Sequence, residues 1–178
     1  EDDVPLLTAQ SSASEVEALL PRGYLLTNYG CVQDRDKIWC EIGLLGKKDR
    51  GFVDATQTQP AKGADGTVPK GPDDSNTRAR KKDFDVVEQI KCAQIEGESL
   101  GNCRVQIARA GGGDATAVVT FSNSFTRELY FRLGTFERAN TTMSGVGRDI
   151  DWTLRDGMYI LRVDDQRFEI PASFIVGP

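Results

Sequence analysis

The chain contains no histidine in 178 residues, and that absence removes several chemistries together. Without imidazole there is no Ser–His or Cys–His nucleophilic pair and no His-based metal centre. A zinc site would have to draw on all four cysteines, which are spaced with eight and ten residues between neighbours rather than as C-x2–4-C knuckles. The glycine loop "GGGD", Gly111 to Asp114, lacks the following Lys and Ser/Thr of a phosphate cradle and reads as a hairpin turn. "DRD" and "RDID" do not follow the calcium-loop pattern, so no metal and no cofactor is expected. No apolar run approaches the roughly 18–20 residues of a membrane span. Nor is there an excess of positive charge: the net charge is −5, which argues against nucleic acid or an anionic membrane surface as a partner.

What is present is an ordinary globular composition, 39% apolar and 28% charged, with four cysteines in two local pairs. Cys31 and Cys40 flank a charged turn, and Cys92 and Cys103 flank a second short segment. Each spacing suits a hairpin-closing disulfide, worth roughly 2.5–3 kcal/mol by loop-closure entropy; four free thiols are the other reading. Disulfides imply an oxidising compartment, periplasmic or secreted. The start at Glu1, without Met or an apolar leader, is what a mature chain with its signal peptide removed would show, and equally what an expressed fragment would show.

Along the first sixty residues, "YLLTNYG", "IWCEIGLL" and "GFV" read as strands, with "QDRDK" as a polar turn. "SASEVEALLPRG" is ambiguous: Ser14 and Glu17 form a capping-box pattern, yet Pro21 and Gly23 stop the element early. From Gln57 to about Asp83 large apolar side chains nearly vanish and three of the seven prolines occur, which reads as a flexible linker. The remainder, 84–178, alternates short strand-like runs with Gly, Asn and Asp turns: "CRVQIARA", "ATAVVTF", "TRELYFRL", "TFERAN", "RDIDWTL", "GMYILRV" and "QRFEIPA". That spacing is the pattern of an antiparallel β domain, whether meander, sandwich or barrel. "LRDGMYILRVDDQRFEI" reads as two consecutive hairpins, and Met158 to Val163 as a strand buried on both faces. The expected organisation is therefore all-β: 1–60, a linker over 61–83, and 84–178.

"ALLPRGYLL", "WCEI" and "RGFV" fall, in that order, where a bacterial SH3-like domain has its Leu–x–x–Gly turn, its Trp strand and its Gly–Trp–Val strand. The first sixty residues thus resemble that family, and the whole chain resembles bacterial envelope proteins that join such a domain to a second β domain. The resemblance implies a small, strongly bent barrel with the Trp and Gly–Trp–Val strands side by side. It also implies binding of a peptide, a peptidoglycan fragment or an envelope protein near Tyr29, Trp39 or Phe52. The chain departs from the family where Phe52 replaces the usual Trp and "LLTAQSSASEV" replaces the usual first arm. Read from the residues alone, Trp39 and Phe52 are core anchors of a small domain.

The second half holds nine arginines and one lysine against thirteen carboxylates. Arg127, Arg132, Arg138, Arg162 and Arg167 would either line an anion-binding sheet face or pair with Glu128, Glu137, Asp164 and Glu169, and pairing is the better reading. Asp149 and Asp151, two apart and so on one face of a strand, are candidates for the carboxylate pair of glycoside hydrolysis, and exposed acids near Trp152 are the simpler reading. The sequence therefore points to a non-enzymatic binding module, with a secreted inhibitor or immunity protein that blocks a hydrolase or toxin as the alternative. Ten carboxylates against six basic side chains through Pro60 favour a ligand with a free amine.

Overall fold

The computed structural model describes residues 3–44, 49–64, 66–69, 71–141 and 147–177. Its strands form two antiparallel sheets in two compact units, 1–61 and 62–178. Among the described residues no helix is long and apolar enough to cross a membrane.

The first unit has five strands: β1 (Val4–Leu7), β2 (Val16–Leu20), β3 (Leu26–Asp34), β4 (Lys37–Leu44) and β5 (Arg50–Asp54), in the order β2-β1-β5-β4-β3. Alternation along β4 sends Cys40, Ile42 and Leu44 to one face, where they pack with Leu6, Leu20 and Val53. At Gly51, opposite Ile42, an added Cβ would stand 2.6 Å from Leu6, so bare backbone lets β1 lie close over β5. The ambiguous stretch resolves as strand β2, whose Leu20 and Ala18 stand opposite Val4 and Leu6. Cross-strand apolar contacts outweigh the local capping signal there. Cys31 sits in the middle of β3 rather than at its end, directly opposite Cys40, and the two are joined.

The second unit contains an eight-stranded sheet that curls nearly into a barrel. Its strands are β6 (Val86–Ala93), β7 (Gly101–Gly111), β8 (Asp114–Thr120), β9 (Thr126–Arg132), β10 (Thr135–Ala139), β11 (Ile150–Arg155), β12 (Met158–Val163) and β13 (Gln166–Pro171). Two meanders, β6 to β10 and β11 to β13, join where β13 pairs with β6, giving the order β10-β9-β8-β7-β6-β13-β12-β11. Both expected hairpins are present, turning at Asp156–Gly157 and Asp164–Asp165. β12 is not buried on both faces: Tyr159, Leu161 and Val163 point into the core, while Ile160 between them is 41% exposed. Across the core, the Tyr159 ring meets Phe131 edge-on at 5.1 Å and its hydroxyl donates to the Gly134 carbonyl. The Cys92–Cys103 disulfide ties β6 to β7 on the core side. A short terminal helix, α2 (Ala172–Val176), buries Ile175 in the same core, and the Arg109 guanidinium donates to the Ser173 and Phe174 carbonyls.

The stretch expected to be a linker differs in its second half. Helix α1 (Ser75–Arg80) buries Ser75, whose hydroxyl lies 2.9 Å from that of Thr116 on β8. Arg78 donates to Asp83, to both oxygens of Asp85 and to the Arg109 carbonyl. Small polar side chains and one guanidinium hold this segment, where composition alone shows only missing apolar surface.

Candidate functional site

The face of the five-stranded unit opposite its apolar cluster carries all three aromatic residues singled out in the sequence. Along β4, Trp39, Glu41 and Gly43 share this face, and the register sets Asp54, Phe52 and Arg50 of β5 opposite them. Tyr29 is the extra residue at the β-bulge between Asn28 and Gly30 of β3. The bulge turns its ring onto this face, against the bare backbone of Gly43, where an added Cβ would be 2.8 Å from the ring. The Arg50 guanidinium lies over the ring, 3.8 Å from its centroid, and reaches Glu41 at 3.3 Å. Tyr29 is held yet remains 50% exposed.

Phe52, half-buried, lies opposite Glu41 on one side and Leu7 on the other. Trp39 is 4% exposed, so it offers no free ring. Its neighbour Lys37 lies 5.3 Å from the ring centroid and 3.0 Å from Asp54. Thr56 donates its hydroxyl and then its backbone N–H to Asp54, and with Lys37 these hold that carboxyl down at about 2. The expected trio is thus brought together, but only Tyr29 and part of Phe52 are accessible. Glu41 and Arg50, which the sequence reading passed over, complete the face. Their i, i+2 relation to Trp39 and Phe52 was the available signal.

In the second unit the arginines do not form one anion-binding face. Arg127 is fully buried and donates to Gln166 and to the Asn140 carbonyl. Burial works against its charge, and the field of Asp164 partly offsets that. Arg132 lies near Asp73 and Asp114, Arg138 stacks on Tyr130, and Arg162 grips both oxygens of Asp149. Arg167 donates to the Glu98 carbonyl. Of the five, only Arg132 and Arg162 meet carboxylates, and none of these belongs to the four acidic residues expected to pair, although Arg162 also donates to the Asp164 carbonyl. Arg127, Arg138 and Arg167 are held by an amide, an aromatic ring and backbone carbonyls.

A shallow hollow of about 220 Å³ lies beside Trp152, Ile160, Arg162 and Arg167, next to a more polar one of about 510 Å³ bordered by Asp149, Asp164 and Asp165. Asp149 is held below the usual carboxylate range, first by its hydrogen bond from Arg162, which is the wrong direction for a general acid. The carboxyl that burial does push up, Asp114, accepts the Leu133 N–H within the fold. No protein-family model, no curated protein and no solved structure matches the chain.

Proposed function

We propose that this chain is a non-catalytic binding protein of an oxidising compartment, periplasmic or secreted. In this reading the five-stranded unit is an SH3-like domain that receives a peptide, a peptidoglycan fragment or a segment of an envelope protein. The observation that carries the reading is the half-exposed Tyr29 ring, fixed between Arg50 and Gly43 and flanked by Glu41 and Phe52. A rigid aromatic surface gives large contact area at low entropic cost, which is what an extended peptide or glycan needs. The side-by-side placement of β4 and β5, and the pairing of β1 with both β2 and β5, support the small-barrel reading. Two disulfides support the compartment.

The face is nearly balanced in charge, with Lys37 and Arg50 set against Asp54 and Glu41. An incoming amine would meet Glu41, whose side chain is 41% exposed, in competition with Arg50. Titration calorimetry of the whole chain with muropeptides carrying a free amine should show saturable binding that N-acetylation of the amine weakens. Absence of binding both to these fragments and to intact sacculi by co-sedimentation would overturn the proposal.

A further inference from the structure

The eight-stranded sheet ends on one side at β10 and on the other at β11, and the two edges are unlike. β10 has five residues and a bulge between Phe136 and Arg138, devices that discourage pairing with another chain. β11 runs for six residues in unbroken register with β12, with neither proline nor bulge.

The two-residue turn at Asp156–Gly157 has positive φ at both positions, so Arg155 and Met158 form the hydrogen-bonded pair that closes the hairpin. Alternation from there bonds Thr153 and Asp151 to β12 and leaves the N–H and C=O of Ile150, Trp152 and Leu154 pointing out of the edge. Among the described residues no backbone group meets them. These same three residues carry the core-facing row of side chains, opposite Val163, Leu161 and Tyr159. The β12 residues are at most 1% exposed, whereas Ile150 is 36% and Leu154 51% exposed. The apolar row therefore continues past the last strand that covers it.

The sequence of β11 also complements itself. Placed antiparallel against a second copy and centred on Trp152, every free N–H and C=O finds a partner: Ile150 opposite Leu154, Trp152 opposite Trp152, Leu154 opposite Ile150. The same register sets Asp149 opposite Arg155 and Arg148 opposite Asp156, opposite charges at both ends. A shift of two residues one way places Asp151 against Asp151, and either shift leaves one free position of each copy unpaired. We infer that β11 is a homodimerisation edge, through which two copies join their sheets antiparallel about Trp152.

Sedimentation velocity on the whole chain should show a reversible species of twice the 19.5 kDa mass. Ile150→Pro removes an outward N–H at the first residue of an edge strand, a position that tolerates proline, and should weaken the dimer at least about tenfold. Arg155→Glu sets like charges against Asp149 of the other copy, and Asp149→Lys sets like charges against Arg155. Each variant alone should be monomeric, and an equimolar mixture should recover a dimer containing one of each, because both end pairs are then opposite in sign. Recovery also shows that both variants fold. A wild-type chain that stays monomeric with a dissociation constant above about 1 mM overturns the inference. A dimer indifferent to Ile150→Pro, or a mixture that stays monomeric, does the same.

Discussion

Cys31 and Cys40 stand directly opposite each other on β3 and β4, with Cα atoms 4.0 Å apart, and the bond between them fixes the register of the hairpin that carries Tyr29. A unit of about sixty residues has a marginal core, so one short-loop disulfide is a large share of its stability. The paired change Cys31→Ser/Cys40→Ser should destabilise the first unit by about 2–3 kcal/mol. Each unit holds one tryptophan, Trp39 and Trp152. Denaturation followed by fluorescence of single-Trp variants reads the units separately, and the loss should appear at Trp39.

Arg78 joins α1 to Asp83, Asp85 and the Arg109 carbonyl from a partly buried position. Arg78→Ala should destabilise the second unit by about 1–2 kcal/mol, a figure reduced for partial solvent screening. It should also open 75–83 to trypsin at Lys81 and Lys82. Arg78→Lys should recover only part of the loss, because a single ammonium cannot span both carboxylates.

Acid should weaken the fold from identifiable carboxylates. The Thr56 hydroxyl, the Thr56 N–H and Lys37 hold Asp54 at about 2, and Arg78 holds Asp83 below its usual range. At Asp85 burial pushes upward, but Arg78 and the Arg109 N–H outweigh it. Groups with a lowered folded-state pKa contribute stability that is full above the unfolded value of 3.8 and fades as pH falls through the folded one. For Asp54 the loss should lie between about pH 4 and pH 2. Asp54→Asn should flatten the pH dependence of the Trp39 transition in that window while lowering stability at pH 7.

Gly43 should tolerate no side chain without moving Tyr29, since a Cβ would stand 2.8 Å from the ring. Gly43→Ala should leave the fold intact, lift the ring from β4 and release Arg50. The measurable result is a shifted Tyr29 ring resonance and weaker ligand binding, with the Trp152 unit unchanged.

The strands legible in the sequence were those with alternation bounded by turn residues, such as Arg104 to Ile107 and the two hairpins from Leu154 to Ile170. β6 was not separated out, because Glu88, Gln89 and Lys91 break up its apolar residues and pairing on both edges defines it. α1 was hidden because Ser75 and Arg78 hold it by hydrogen bonds rather than by apolar area. Both disulfides were legible from spacing alone. The candidate face was legible only in part: Tyr29, Trp39 and Phe52 stand out in the sequence, but not that Trp39 is closed off. Glu41 and Arg50 stand two residues from Trp39 and Phe52, so strand alternation carries them to the same face. That Tyr29 joins them depends on the bulge between Asn28 and Gly30, which no periodicity reveals.

The most direct test of a binding face on the five-stranded unit is an amide and aromatic NMR titration of the whole labelled chain with an amine-bearing muropeptide. A ligand held at this face should shift Tyr29, Glu41, Gly43, Arg50 and Phe52 together and saturably, and Tyr29→Ser should abolish those shifts while the spectrum of the second unit stays in place. Saturable shifts confined to residues beyond Lys62, or shifts at the aromatic face that survive Tyr29→Ser, would contradict it.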